Sequence, residues 1–349
     1  MKALTVLPLM KDSAQLIDMP EPDESEGSVL VETIAVGVCG TDIEIISGAY
    51  GWAPPGQERL VLGHESLGRI LSAPPNCGLT SNDLVVGIVR TPDPEPCYSC
   101  AIGQWDMCRN GKYSEHGIKE LHGFCRERYR ISPEHLVKVD PNLGITGVLL
   151  EPATILAKAW DHVEKIGNRV TWQPKRAIIT GAGPVGLMGA LMGVQRGLEV
   201  HVIDQVTQGL KPDLVSSLGA TYHTGSIRDA CESPDVVIEC TGVPSLVFDA
   251  MEHVGAGGVV CLTGVSSGGR NIAIDGGELN RYMVLENEAV VGSVNANKTH
   301  YELGAKALAN ADPKWLERLI SRRVPLDDWP KAIDHKPDDV KVIIDINPL

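Results

Sequence analysis

His64 and Glu65 stand side by side in VLGHESLGRI, residues 61–70, a stretch that is otherwise mostly apolar. An imidazole and a carboxylate in such a place are either a satisfied pair within the core or ligands of a metal ion. Cys39 adds a thiol in VGVCGTDIEIISGAYG, and Glu151 opens the segment EPATILAKAW. Thiolate, imidazole and carboxylate groups all bind Zn²⁺, and three protein ligands leave a position open for substrate. These residues are therefore candidates for a catalytic metal site.

Each candidate also has an ordinary interpretation. Cys39 can be a small buried hydrophobic residue, His64 and Glu65 a core pair, and Glu151 an acid in the first turn of a helix. Thr41, two residues after Cys39, would place a hydroxyl near such a metal. Because the residues lie far apart in the chain, their spacing alone leaves both interpretations open.

A second group of thiols occurs in PDPEPCYSCAIGQWDMC, which contains Cys97, Cys100 and Cys108. The chain has nine cysteines, an odd number, and in a reducing compartment they are expected to be free thiols or metal ligands rather than disulfides. Closely spaced thiols in a short loop have few other physical uses. The alternative is a loop that keeps free thiols and binds no metal.

The motif Gly181-Ala-Gly183-Pro-Val-Gly186 follows the apolar run RAIIT and opens an apolar helical segment. In this context, the glycines allow the backbone to approach a pyrophosphate at the helix N-terminus. Asp204 lies 18 residues after Gly186, where an acid contacts the ribose hydroxyls. A carboxylate repels a 2′-phosphate, so we predict NAD, while Lys211 keeps NADP possible. The alternative is a strand-to-helix turn without a ligand.

The distribution of elements predicts two domains. Residues 1–155 contain short β-like runs separated by turn clusters, which favours an antiparallel, barrel-like domain. Residues 156–304 alternate strands and helices, which predicts an α/β domain with a doubly wound parallel sheet. Residues 305–349 return to mixed structure, and we expect them to pack onto the first domain.

Composition limits the possible functions. The net charge of −14 and pI near 5.2 argue against binding to nucleic acid or to an anionic membrane. No signal peptide is recognisable, and no apolar run approaches the ~18 residues of a membrane span. We therefore expect a cytoplasmic protein with neither nucleic acid nor membrane as a partner.

The segments CGTDIEIISGAYG, VLGHESLG, EPATILAKA and GAGPVGLMG, with the cysteine loop between them, resemble the zinc-dependent medium-chain alcohol dehydrogenase/reductase superfamily. YSEHGI, EPATILAKA and VGSVNANKTHYE resemble its glucose 1-dehydrogenase branch more narrowly. The resemblance implies a GroES-like, β-rich catalytic domain and a Rossmann domain. It also implies transfer of hydride from C1 of an aldose to a nicotinamide cofactor, giving an aldonolactone, in a homodimer or homotetramer.

The resemblance also implies residue roles. Cys39, His64 and Glu65 match catalytic zinc ligands, and Glu151 matches a position that contacts the metal directly or through water. Thr41, Glu65 and Glu151 are the predicted proton-transfer residues. The positions that contact sugar in the family correspond to Thr41, Glu115, Glu151 and Asn297 here. Arg90 lies near another substrate-contacting position. The predicted cofactor site comprises Gly181, Gly183, Pro184, Val185, Gly186, Asp204, Thr241, Gly264, Asn295 and Asn297.

Two departures from the family pattern bear on these roles. The family's structural zinc loop has the spacing C-x2-C-x2-C-x7-C, and its first cysteine falls at Pro94 here. We predict that Asp93 supplies the fourth ligand beside Cys97, Cys100 and Cys108, with Glu95 as an alternative.

The second departure is in the substrate pocket. Ile155 replaces an acid found in some members, and Arg90 would suit an anionic sugar. A polyol, secondary-alcohol or threonine dehydrogenase is an alternative function, and a non-catalytic binding protein is another.

Overall fold

The computed structural model describes residues 1–266, 268 and 271–349. The strands in chain order are β1 Lys2–Val6, β2 Gln15–Asp18, β3 Val29–Gly37, β4 Leu60–Val61, β5 Glu65–Ser72, β6 Leu84–Gly87, β7 Arg90–Thr91, β8 Ser114–His116, β9 Glu120–Leu121, β10 Arg128–Ile131, β11 Leu136–Lys138, β12 Arg176–Thr180, β13 Glu199–Ile203, β14 Thr221–His223, β15 Val236–Glu239, β16 Val259–Leu262, β17 Ala289–Gly292, β18 Ile320–Pro325 and β19 Lys341–Asp345.

The helices in chain order are α1 Gly40–Ile46, α2 Tyr98–Ala101, α3 Leu150–Gly167, α4 Pro184–Gln195, α5 Leu210–Ser217, α6 Ile227–Ala230, α7 Pro244–His253, α8 Gly276–Leu285, α9 Lys298–Ala309, α10 Pro313–Leu319 and α11 Pro330–Ile333. Short 3₁₀ turns occur at Glu24–Glu26, Trp105–Met107, Pro133–His135, Pro141–Leu149 and Leu326–Asp328.

The described chain divides into two compact units. The first comprises Met1–Glu151 and Ala296–Leu349, and the second comprises Pro152–Asn295. The predicted bounds, 155 and 304, differ from these by four and nine residues. The larger difference arises because α9 packs against β11 and the Pro141–Leu149 turn of the first unit.

The first unit is built around β3, a nine-residue strand that is buried along most of its length. Its main sheet has the order β11-β6-β5-β3-β19-β18, and β10 also pairs with β3. Most pairs are antiparallel, whereas β18 and β19 are parallel. The C-terminal strand β19 therefore completes the sheet that carries Glu65 at the start of β5.

The predicted single run RLVLGHESLGRIL forms two strands, β4 and β5, with residues 62–64 between them. β5 pairs with β3 such that Glu65 faces Gly37, and β4 pairs with β1 in a separate sheet. The chain therefore changes sheets at His64, which positions this side chain at a strand end.

The second unit contains a six-stranded parallel sheet of order β14-β13-β12-β15-β16-β17. Its central strands are almost entirely buried, which explains their continuous apolar sequences. The strand order reverses at β12, the point where doubly wound sheets bind ligands beyond the carboxyl ends of their strands. The alternation of strands and helices in the sequence predicted this arrangement.

One segment, Pro141–Gly167, is long and apolar enough to cross a membrane on length and composition alone. Within its most apolar window, 72% is buried inside the protein, as expected for a core helix. The charged residues Glu151 and Lys158 lie within this segment, so it is not an uninterrupted apolar run of the kind expected for a membrane span.

Candidate active site and thiol cluster

Cys39, His64 and Glu65 meet at one end of the main sheet. Cys39 follows β3 and precedes α1, His64 directly precedes β5, and Glu65 is its first residue. One potential ligand atom from each residue lies within 4.8 Å of the others. A thiol, an imidazole and a carboxylate brought together in this way match the donor set of a zinc site with an open position.

The surroundings of His64 also fit a metal ligand. Its Nδ1 lies 3.6 Å from Oδ1 of Asp42, and neither buried atom has a hydrogen-bond partner within the described part of the chain. Burial opposes protonation, but the Asp42 carboxylate raises the pKa of His64 well above its usual value. Since Nδ1 faces Asp42, Nε2 is the nitrogen available to a metal, as in carboxylate–histidine–metal arrangements. The other Asp42 oxygen accepts the Cys39 N–H at 2.9 Å.

Lys341 is a member of this site that the sequence analysis missed. Its Nζ lies 2.7 Å from Oε1 and 2.6 Å from Oε2 of Glu65, and it also donates to the Val38 carbonyl at 3.2 Å. Burial disfavours the charged amine, yet the Glu65 carboxylate keeps the pKa of Lys341 above its ordinary value. A lysine inside the apolar strand VKVIIDI was the available signal.

Glu151 lies near enough to this cluster for the charges of His64 and Glu65 to act on it. Glu151 is in the first turn of α3 and is buried. Burial raises its pKa to about 7, while the charges of His64 and Glu65 act in opposite directions. A carboxyl group with that pKa can accept or donate a proton near neutral pH. Thr41 lies half-buried in the first turn of α1.

Arg90 and Glu115, both predicted to contact substrate, pair with each other. They are opposite residues of β7 and β8, both buried, with Arg90 Nε and Nη2 each 3.0 Å from Glu115 Oε1. Arg90 also donates from Nη1 to the Asp106 carbonyl at 3.2 Å and lies 3.6 Å from the Tyr113 ring centroid. Because the guanidinium is committed to these partners, the hypothesis that it selects an anionic sugar loses its physical basis.

Asn297, predicted to contact sugar and nicotinamide, caps the N-terminus of α9. Its Oδ1 accepts the Thr299 N–H at 3.0 Å, and its Nδ2 donates to Asp106 Oδ1 at 2.8 Å. Asp106 thus accepts hydrogen bonds from both Asn297 and Arg90, a role that the sequence analysis did not identify. Asn295 ends the second unit with φ of 62°, a left-handed conformation that asparagine tolerates.

The glycine-rich turn connects β12 to α4. Gly181 has φ of +86°, and a Cβ on Gly186 would lie 1.8 Å from the Gly181 carbonyl oxygen. A Cβ on Gly183 would face open space, the feature expected where a ligand approaches the backbone. Pro184 and Val185 are the first residues of α4, so its free N–H groups point toward this turn.

Asp204 follows β13 and belongs to the same region. Its carboxylate accepts the Ala182 N–H at 2.7 Å and the Val206 N–H at 3.1 Å, and Lys211 Nζ lies 3.4 Å away. Burial opposes ionisation, but these backbone donors and Lys211 keep the pKa of Asp204 below its usual value. The structure thus places an ionised carboxylate beside the glycine-rich turn.

Glu239 organises the predicted cofactor residues Thr241 and Gly264, and the sequence analysis missed it. It is fully buried at the end of β15. Its carboxylate accepts the Thr180 hydroxyl at 3.0 Å and the N–H groups of Thr241 at 2.7 Å and Gly242 at 3.1 Å. Its carbonyl accepts the Gly264 N–H at 3.0 Å. Glu239 therefore joins the end of β12 and the loop after β15 through its carboxylate, and the loop after β16 through its carbonyl.

The predicted structural metal site contains three thiols. One sulfur each from Cys97, Cys100 and Cys108 lies within 4.8 Å of the others. Asp93, the predicted fourth ligand, is not among the side chains within this distance. Its Oδ1 accepts the Glu95 N–H at 2.8 Å and its Oδ2 accepts the Asn110 amide at 2.8 Å. Hydrogen bonds from backbone N–H groups, first that of Arg109, lower the pKa of Cys97 to about 6.

Comparisons with known proteins agree with this architecture. Residues 25–141 match the alcohol dehydrogenase GroES-like domain, and residues 144–346 match the glucose dehydrogenase C-terminus. The chain is 37% identical to glucose 1-dehydrogenase of Methanocella arvoryzae over 99% of both chains, and 38% identical to glucose 1-dehydrogenase 1 of Caldivirga maquilingensis over 100% of both.

Among solved structures, glucose dehydrogenase of Haloferax mediterranei, in complex with NADP, Zn and gluconolactone, is 31% identical and superposes with a TM-score of 0.92 over 100% of both chains. An alcohol dehydrogenase of Thermotoga maritima, 22% identical with a TM-score of 0.83, shares the fold. These matches confirm the predicted combination of a GroES-like domain and a Rossmann-type domain.

Proposed function

Because the chain belongs to the zinc-dependent medium-chain alcohol dehydrogenase family, in its glucose dehydrogenase branch, we propose that it oxidises C1 of a glucose-like aldose to the aldonolactone with a nicotinamide cofactor as hydride acceptor. The observation that carries this proposal is the meeting of Cys39, His64 and Glu65 in one cluster. The gluconolactone bound by the Haloferax mediterranei relative supports the choice of substrate.

The donor set at this cluster fits zinc, with Cys39, His64 and Glu65 as its ligands. When bound, zinc polarises the substrate hydroxyl and lowers the pKa of that hydroxyl. The chain supplies the rest of the site: Asp42 orients His64, and Lys341 balances the charge of Glu65 and fixes both of its carboxylate oxygens.

We assign proton transfer to Glu151, with Thr41 as the relay hydroxyl. The pKa of Glu151, about 7, is matched to accepting the proton of the C1 hydroxyl near neutral pH. Glu65 was the other predicted proton carrier, but its two oxygens already accept hydrogen bonds from Lys341. Its proposed role is therefore as a metal ligand only.

Glu115, Glu151 and Asn297 are the proposed sugar contacts. Hydrogen bonds to sugar hydroxyls need donors and acceptors held in fixed positions. Arg90 holds Glu115 and Asp106 holds Asn297, both through buried contacts. Arg90 acts in this proposal through Glu115 rather than on the substrate.

We propose that NAD is the preferred cofactor and that NADP is also used. The ionised carboxylate of Asp204 suits a free ribose 2′-hydroxyl and repels a 2′-phosphate. Lys211 partly offsets that repulsion, and the Haloferax mediterranei relative binds NADP. Asp204→Asn should lower the ratio of kcat/KM for NAD to that for NADP about tenfold, while Asp213→Asn, on α5, should leave the ratio unchanged.

The protein is proposed to be a cytoplasmic homodimer or homotetramer. β17 is one of the two edge strands of the parallel sheet, and Val284 and Leu285 on α8 in the same unit are 66% and 62% exposed. An open strand edge and exposed apolar side chains are both surfaces that a second copy can cover. Sedimentation equilibrium of the wild type and of Val284→Glu tests this assignment.

The activity is tested by measuring NADH or NADPH formation with a panel of aldoses, polyols and sugar acids. Zinc-loaded and chelator-treated protein are compared. We expect oxidation of aldoses that depends on zinc and is faster with NAD. Activity on polyols exceeding that on aldoses would favour the alternative polyol dehydrogenase function, and activity in metal-free protein would contradict the zinc assignment.

A further inference from the structure

Glu239, the last residue of β15, places a fully buried carboxylate at the carboxyl end of the parallel sheet. Its Oε1 accepts the Thr180 hydroxyl at 3.0 Å, the Thr241 N–H at 2.7 Å and the Thr241 hydroxyl. The Gly242 N–H lies 3.1 Å from both carboxylate oxygens. All of these donors are neutral, and every one of them reaches Oε1.

The same hydrogen bonds extend to the glycine-rich turn. Thr180 ends β12 and directly precedes Gly181, so the bond from its hydroxyl to Glu239 fixes the start of the turn. The Thr180 oxygen also accepts the Cys240 N–H at 3.1 Å. A Cβ on Gly181 would lie 3.0 Å from Cγ2 of Thr241, so the turn packs closely against the loop that follows β15.

The loop after β16 is joined to the same residue. The Glu239 carbonyl accepts the Gly264 N–H at 3.0 Å, and the Ser266 hydroxyl donates to the Gly242 carbonyl at 2.7 Å. Three segments that carry predicted cofactor residues are therefore held by one side chain and its own backbone. Since none of Glu239 is exposed, it acts on a ligand only through the residues that it positions.

We propose that Glu239 is a positioning residue that sets the affinity for the nicotinamide cofactor, equally for its NAD and NADP forms. This inference rests on the proposed use of such a cofactor. An apolar residue at the end of β15 would pack the sheet without burying a charge, so the advantage of the carboxylate lies in the donors that it orients. Loops already held in place lose less freedom when a ligand binds. Asp204, in contrast, is proposed to select between the two forms.

The dissociation constants of NADH and NADPH are measured by fluorescence titration of the full chain without sugar. Glu239→Leu should raise both constants about 10- to 30-fold and leave their ratio within about twofold of the wild-type ratio. Glu252→Gln, an exposed acid on α7, is the control and should bind both cofactors as the wild type does. Unchanged affinity in folded Glu239→Leu, or a loss confined to one cofactor, would overturn the proposal.

Glu239→Gln separates the positioning role from an effect of charge. Glutamine keeps an acceptor oxygen at the position of Oε1, which all of the donors reach, so both dissociation constants should stay within about threefold of the wild type. A loss as large as that of Glu239→Leu would show that the negative charge itself sets the affinity and would overturn the proposal.

Thr180 supplies a second pair of variants if Glu239→Leu does not fold. Thr180→Val removes one hydrogen bond to the carboxylate and should raise both constants about threefold, whereas Thr180→Ser keeps the hydroxyl and should stay within about twofold of the wild type. Equal constants for the two variants would contradict the proposal.

Steady-state kinetics distinguish positioning from a general loss of folded protein. The KM for NAD should rise in Glu239→Leu, while kcat at saturating NAD stays within about twofold of the wild type. A lower kcat with KM unchanged would identify a merely structural role. Because the titrations contain no sugar, a wild type that binds both cofactors but oxidises no aldose would contradict the proposed substrate alone.

Discussion

Two groups of three potential metal ligands, one at the end of the main sheet and one in the loop between β7 and β8, differ in what surrounds them. The Cys39–His64–Glu65 cluster has three kinds of donor, and two of these residues are buried. Charged side chains, Asp42 and Lys341, contact them. The thiol cluster of Cys97, Cys100 and Cys108 has one kind of donor and is contacted mainly by backbone N–H groups.

This difference separates a site built by the whole fold from one built by a local turn. The proposed zinc ligands come from segments far apart in the chain, and Lys341, which contacts Glu65, lies 276 residues after it. The thiols lie within residues 97–108, so their meeting depends on one short loop. Substitutions around the first cluster should therefore have larger effects than substitutions around the second.

The largest effect is expected for His64→Ala. Turnover should fall at least about 10³-fold, because a Lewis acid contributes several kcal/mol to transition-state stabilisation and about 1.4 kcal/mol is a factor of ten. NAD affinity, measured by fluorescence titration, should stay nearly unchanged because the glycine-rich turn belongs to the other unit. Retained turnover in metal-free His64→Ala would show that the cluster is not catalytic.

Lys341→Met should lower the free energy of unfolding of the metal-free protein by about 3–5 kcal/mol, since it leaves the buried Glu65 carboxylate without its partner. The loss should be smaller in the presence of zinc, which supplies a positive charge at the same carboxylate. Urea denaturation with and without zinc measures both values.

Lys331→Met is the matched control. Lys331 pairs with Asp328 at 2.9 Å, but both side chains are at least half exposed. Exposed pairs of this kind contribute about 0–1 kcal/mol. Equal losses for Lys331→Met and Lys341→Met would remove the distinction between the two kinds of environment.

Asp42→Asn should weaken zinc binding or reduce kcat about 10- to 100-fold, because it removes the charge that orients His64. The amide oxygen can still accept the Cys39 N–H, so the start of α1 is preserved. Glu44→Gln, on the exposed side of the same helix, is the control and should have the zinc affinity of the wild type. Competition with a chromophoric chelator gives both affinities.

Features dictated by neighbouring residues were predictable from the sequence. The glycine-rich turn was one such feature, because its local geometry requires glycine: Gly181 adopts a positive φ and Gly186 has no room for a Cβ. The doubly wound sheet was another, because each strand and helix has its own apolar pattern. The fold class was accordingly confirmed.

Features that depend on contacts between distant segments were not predictable. Lys341, Asp106 and Glu239 act through partners that no local pattern indicates. Arg90 was predicted to suit an anionic sugar. No local pattern indicated that Glu115 on β8 lies opposite Arg90 on β7. Asp93 was predicted as a ligand from proximity in sequence, but its carboxylate lies outside the group of three sulfurs and accepts hydrogen bonds from the Glu95 N–H and the Asn110 amide.

The smallest effect is expected for Cys108→Ser. Asp106 lies two residues before Cys108 and holds Arg90 through its carbonyl and Asn297 through its carboxylate. Loosening the thiol cluster should therefore shift the proposed sugar contacts and raise KM for the aldose about three- to tenfold, with little change in kcat.

Steady-state kinetics at saturating NAD would measure this effect, with Cys77→Ser, a half-buried cysteine outside the loop, as the control. A fall in kcat with KM unchanged would mean that the loop affects the chemical step rather than sugar binding. That result would contradict the separation of the two clusters, because the thiols would then act on the catalytic ligands themselves. A rise in KM alone would show that the thiol cluster influences the reaction only through Asp106 and the residues that it holds.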